Sequence, residues 1–243
     1  MRRQTMKTLC LAPMLFLLSV TAPLYPFSWD GYDSLLARSV CNGMVNYGSL
    51  INDPALERIA AHFSSVTRSH YETFTREEKL AFLINAYNFF TLQLIVDNYP
   101  LRRGIRDIRR PWDRAFINLL GDMVSLNYIE HEVIRKEFDE PRIHFAVNCA
   151  SIGCPQLLDE AFRGKRLEEQ LERVTTLFLS DTTKNRFDGS DLYLSKIFEW
   201  YGDDFKENGG YETFVRTRAG VPGPGRVRFL DYDWGLNDSA ECP

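Results

Sequence analysis

The amino-acid sequence predicts an α+β fold: a helix-rich single domain over residues 31–237, with a small, mostly antiparallel sheet in its second half. Three observations predict it. Apolar residues recur at helical spacing through most of the first hundred residues and again near 126–138 and 167–179. The strand-like segments cluster later and do not alternate regularly with helices, which argues against a doubly wound sheet. A chain of 243 residues, 44% hydrophobic and 26% charged, has ordinary globular composition and enough length for one substantial core.

Residues 31–63 read as helical, with Leu35 and Leu36 in one segment and Leu56, Ile59, Ala60 and Phe63 in the next. The strongest helix is 76–97. Thr75 and Glu78 form a Thr-x-x-Glu capping box at its start, and Asn98 with Pro100 supplies its stop. It is apolar nearly all round, from Leu80 to Ile95, and so belongs in the middle of a core. A helix at 126–138 has Ser125 as its N-cap. The apolar run Ile143–Asn148 follows a proline and reads as a strand. A helical stripe carries Leu167, Leu171, Val174 and Phe178. Asn185–Leu194 reads as a hairpin turning through Asp188-Gly189. Ser195 caps a short helix, another lies near 211–218, and Val227 and Phe229 mark a last strand. The tail from Asp231 to Asn237 is expected to pack back on the domain through Tyr232 and Trp234.

The N-terminus is a different kind of segment. Arg2, Arg3 and Lys7 precede an apolar run from Leu9 to Ala22, the layout of a secretory signal peptide over residues 1–22. The competing reading is an uncleaved anchor, although Pro13, Pro23 and Pro26 interrupt a span that needs about 20 apolar residues. The expected location is therefore periplasmic or secreted, with membrane contact only if this segment stays attached. Removing three cations and no anion would take the formal charge from −4 to −7. No domain-wide basic excess points to nucleic acid. The arginines between Arg102 and Arg114 lack the aromatic interleaving of a single-strand binder and read as a solvated connection.

Export changes how the cysteines read. Cys10 would leave with the signal, and Cys41, Cys149, Cys154 and Cys242 remain in a compartment that permits disulfides. They allow three complete pairings, among which the sequence does not choose. No Cys-x-x-Cys pair or His-rich tract suggests a tetrahedral metal site, and no cofactor is expected.

Polar residues at apolar positions are the candidates for chemistry. Asn85 and Asn88 share a face of the most apolar helix, where a buried amide must find partners or cost about 1–3 kcal/mol. Glu130 falls inside the apolar arc of Leu126, Ile129, Val133 and Ile134, while His131 falls beyond its edge. A carboxylate on such an arc is expected to be paired. The run His144–Pro155 places Cys149 and Cys154 beside a strand end. Cys149 reads equally as a buried thiol, as half of a Cys149–Cys154 disulfide, or as a reactive thiol. Strand alternation would set His144 opposite Cys149, which makes His131 the expected partner of that thiol.

These segments together are similar to the domain of unknown function 547 family. The resemblance rests on Asn85-Ala-Tyr-Asn88, Ser125 through His131, His144 through Pro155, Ser195 through Phe205, and Tyr232 through Asn237. It implies no agreed reaction. It draws attention to Asn85, Asn88, Glu130, His131, His144, Cys149, Cys154 and Pro155.

Three functions follow as expectations. One is a thiol-dependent hydrolase or transferase acting on an amide or ester of a small molecule or peptide. Cys149 would be its nucleophile, His131 its base, Glu130 the residue orienting that base and Asn85 an oxyanion donor, with Asn88, His144 and Cys154 in support. The second is a redox role for Cys149 and Cys154. The third is a non-enzymatic envelope binding or scaffold protein whose polar residues form a satisfied core network.

Overall fold

A computed structural model describes residues 28–241. The signal-peptide reading concerns residues 1–22 and lies outside the described residues, as do Cys10 and Cys242. The chain runs through helices Asp30–Ser39 and Pro54–Ser65 into the central helix, Arg76–Val96. Thr75 and Glu78 form the capping box: the Thr75 hydroxyl accepts from the Glu78 amide, and the Glu78 carboxylate accepts from the Thr75 amide. The central helix has the length and apolar character to cross a membrane. It is nonetheless the core helix of the domain, because every residue from Leu80 to Leu92 is buried inside the protein. Phe82, Phe89 and Phe90 pack against Phe63, with ring centroids 5.4 to 5.6 Å apart. Aromatic pairs at this spacing add to the stabilisation that burial gives.

The second half is held to this helix by shorter elements. Helix Leu167–Ser180 buries Leu171, Val174 and Phe178, the stripe read from the sequence. Strands Arg186–Asp188 and Asp191–Leu194 form an antiparallel hairpin, and Val227–Phe229 adds to Asp191–Leu194 in parallel. Helix Lys196–Trp200 begins at Ser195, whose hydroxyl accepts from the Ile197 amide. Helix Gly210–Ala219 follows. The fold is α+β, helix-rich, with small and mostly antiparallel sheets. Two further hairpins lie in the first half, Val40–Cys41 with Met44–Val45 and Ile117–Leu119 with Asp122–Val124.

Two elements differ from the sequence reading, and both shape the site. The segment 126–138 starts as expected, with the Ser125 hydroxyl accepting from the Tyr128 amide, but Tyr128–Ile134 is a π-helix. The Arg135 amide reaches back five residues to the Glu130 carbonyl. The run Ile143–Asn148 is not a strand. Pro141–Phe145 is a 3-10 helix, and the amides of Ala146 and Val147 both bond to the Ile143 carbonyl. The two-residue alternation that would have set His144 opposite Cys149 therefore does not apply.

Candidate functional site

The loop from Asn148 to Pro155 is fixed from both sides. From the core side, Asn88 Nδ2 donates to the Ala146 carbonyl at 2.9 Å, and its Oδ1 accepts from the Asn148 amide at 2.8 Å. Asn148 then spans the loop itself. Its Nδ2 donates to the Pro155 carbonyl at 2.7 Å, and its Oδ1 accepts from the Ala150 amide at 2.8 Å. From the other side, the tail residues Asp233, Gly235 and Asn237 exchange backbone hydrogen bonds with Gly153, Ile152 and Ala150. Gly153 is tightly packed there: a Cβ would sit 3.0 Å from the Asp233 backbone.

This loop closes on a disulfide between Cys149 and Cys154. Cys154 is buried and Cys149 is half-buried. The Tyr232 hydroxyl lies 3.2 Å from Cys149 Sγ and 3.1 Å from Cys154 Sγ. The Cys149 amide donates to Cys154 Sγ at 2.9 Å. Cys41 is also disulfide-bonded.

The pair forms part of the wall of a pocket of about 280 Å³, lined also by Glu130, His131, His144 and a set of aromatic rings. Trp200, Tyr232 and Trp234 pack against one another with centroids 4.6 to 5.8 Å apart, and Trp112 meets Trp234 at 6.0 Å. Glu130 is 4% exposed. The phenols of Tyr87, from the central helix, and Tyr201 lie beside its carboxylate. Burial and then the Glu130 charge push both phenols above their ordinary value.

His144, 2% exposed, lines the same pocket with its ring stacked on Tyr201 at 4.0 Å. Its Nε2 is 2.7 Å from Asp204 Oδ2. Arg135 grips the same carboxylate with two bonds, of 2.6 and 2.7 Å. Burial alone would raise the Asp204 pKa, but the hydrogen bonds from His144 and Arg135 outweigh it and hold the group well below the usual carboxylate range. Burial pushes the His144 imidazole down, against the pull of Asp204. A neutral His144 beside an ionised Asp204 must carry its proton on Nε2. Nδ1 is then a lone-pair acceptor, and it is buried with no hydrogen-bond partner in the structure.

His131 lies on the same wall but its lone pair is spent. Its Nδ1 is 2.9 Å from Arg135 Nη1, and a guanidinium can only donate, so Nδ1 must accept. Asn85 does not line the pocket. Its Nδ2 donates to the Phe162 carbonyl and its Oδ1 accepts from the Phe162 amide, both at 2.8 Å. The expected oxyanion donor is thus a core clasp at another place. The structure brings together Glu130, His131, His144, Cys149 and Cys154, holds them from behind with Asn88, and leaves Asn85 out. Sequence reasoning missed Asp204, Arg135, Tyr87, Tyr201 and the tryptophans. Asp204 and Tyr201 lie inside the Ser195–Phe205 motif, and their position in it was the one available signal.

Residues 71–179 match a family described as "Protein of unknown function, DUF547". No curated protein and no solved structure matches the chain.

Proposed function

Since the chain is a DUF547 member across residues 71–179, and that description names no reaction, we propose its function from its own pocket: thiol–disulfide exchange at Cys149 and Cys154 with a small-molecule or peptide thiol. The observation that carries this reading is the Tyr232 hydroxyl in reach of both sulfurs of a pocket-lining disulfide, of which Cys149 is the less buried.

The chemistry follows from that asymmetry. An incoming thiol loses its proton to solvent, and its thiolate attacks Cys149 Sγ, the less buried sulfur. A bond forms between the external sulfur and Cys149, and the Cys149–Cys154 bond breaks with its electron pair leaving on Cys154. The departing thiolate is met by the Cys149 amide and the Tyr232 hydroxyl, donors already in place. A second thiol, its proton also lost to solvent, then attacks the mixed disulfide on its external sulfur as the thiolate, releasing the Cys149 thiolate and an oxidised small disulfide; Cys149 and Cys154 each take a proton back from solvent, which completes a two-electron reduction of the protein. An exported location, expected from residues 1–22, would keep the pair oxidised at rest.

The hydrolase reading has less support. It needs a free Cys149 thiol, a His131 lone pair and an amide donor from Asn85, and each of these groups has another partner. The scaffold reading accounts for Asn85 and Asn88 but gives no use to the open pocket. The deciding experiment treats the Cys154→Ser protein with the disulfide of 2-mercaptoethanol and maps the adduct, while the native protein is titrated with 2-mercaptoethanol. The expected result is one stable adduct on Cys149 and a bridge that opens under native conditions. A bridge that reduces only when the protein unfolds would sink the proposal.

A further inference from the structure

We infer that the pocket selects organic cations, so that the thiol or disulfide it takes carries an ammonium or guanidinium group a few atoms from sulfur. This deepens the exchange reading and rests on it. Glu130 is the one carboxylate among the residues lining the pocket, and no lysine or arginine lines it. Two arginines stack on rings of its wall: Arg135, bound by both Asp204 oxygens in a locally neutral pair, and Arg106, over Trp234. Among the lining side chains themselves Glu130 is the one acidic group. Its field reaches the rings around it: together with burial it raises the phenols of Tyr87, Tyr201 and Tyr232, and it favours the charged form of His144.

The remaining wall suits the same class of group. Aromatic faces carry negative charge density and attract cations within about 6 Å. The protein already uses this wall so. Arg106 sits 4.9 Å over the Trp234 ring, and Arg135 sits 5.1 Å over Tyr201. Trp200, 45% exposed at the pocket edge, and Trp112 carry no such cation among the described residues. A ligand cation between the Glu130 carboxylate and these faces would gain from both. An anionic ligand would meet Glu130 and the ring faces with no lysine or arginine in the lining itself.

The test measures exchange of the oxidised protein with three small thiols: cysteamine (cationic), 2-mercaptoethanol (neutral) and 3-mercaptopropionate (anionic). Each rate is divided by that thiol's rate with hydroxyethyl disulfide, which removes differences in thiol acidity. The expected order is cation, neutral, anion, with about tenfold between the ends, the scale of one partly screened charge pair. Glu130→Gln should lower the normalised ratio to about threefold, the share the ring faces retain. If that variant does not fold, Trp200→Ala, a change at the pocket edge, should lower the ratio about threefold, the scale of one exposed cation–π contact. Equal normalised rates, or an anion preference, would overturn the inference and leave the exchange reading standing. Failure of all three thiols to open the bridge would overturn both.

Discussion

His144 Nε2 and Asp204 Oδ2 stand 2.7 Å apart although 60 residues of chain separate them. The pair joins the 3-10 segment before the cysteine loop to the segment after the Trp200 helix. It also fixes which ring nitrogen of His144 keeps a lone pair.

That pairing gives a pH dependence with a definite sign. Folded His144 titrates below its ordinary value of 6.5, because burial outweighs the pull of Asp204 and Glu130 and acts together with the nearby Arg135 charge. Its contribution to stability is whole above pH 6.5 and is lost as pH falls through the folded pKa, because the unfolded chain binds the proton first. His144→Gln removes this contribution. Urea midpoints between pH 7.5 and 5 should fall more steeply for the native protein than for the variant, and parallel curves would contradict the assignment.

Arg135→Lys keeps the charge but loses the two-point grip on Asp204 and the bond to His131. We expect a loss of about 1–2 kcal/mol in chemical denaturation, since a lysine cannot reproduce the planar fork. An unchanged midpoint would show that the fork adds nothing to the charge.

Asn85→Ala and Asn88→Ala each strand two buried backbone groups, and each should cost about 2–4 kcal/mol. Only Asn88→Ala should also change the rate of thiol exchange, because Asn88 holds the Ala146–Asn148 backbone and Asn85 holds Phe162. Equal effects on exchange at matched stability would refute the division.

Tyr232→Phe deletes one hydroxyl and keeps the ring. Loss of its bond to the leaving sulfur should slow exchange by about tenfold, the scale of one donor to a charged group, with little change in melting temperature. A rate within twofold of the native protein would remove Tyr232 from the chemistry.

Gly104 has φ +75°, and a Cβ there would lie 2.4 Å from the Trp234 carbonyl. Gly104→Ala should push the tail off the aromatic wall and weaken the near-ultraviolet circular dichroism of the tryptophan cluster. An unchanged spectrum would mean that the tail relaxes without moving Trp234.

The parts legible in the sequence are those governed by local chemistry. The Thr75–Glu78 box, the Asp188-Gly189 turn and the Ser195 cap each satisfy backbone groups within a few residues, so spacing alone reveals them. Glu130 was legible because a carboxylate on an apolar arc must be paired. Ile143–Asn148 misled because an apolar run after a proline fits a strand. Its backbone instead finds partners in Ile143 and the Asn88 side chain, which takes the place of a neighbouring strand. The Ile117–Val124 hairpin escaped because its turn sets Leu120 at φ +55°, where Asn or Asp would have signalled it. His131 reads as the better partner for Cys149 from strand alternation, but its Nδ1 is taken by Arg135 and His144 by the long-range contact to Asp204, and no periodicity encodes either arrangement.

The tail that brings Tyr232 to the cysteine loop lies 78 residues downstream of Cys154. A chain growing from its N-terminus therefore presents Cys149 and Cys154 before the residues that cover them exist. Any oxidant or thiol that meets the chain in that interval acts on a bare loop, without the Tyr232 donor and the tryptophan wall. Selectivity at this pair is thus acquired in time as well as in space: the sulfurs come first, and their discrimination arrives only with the last strand and tail.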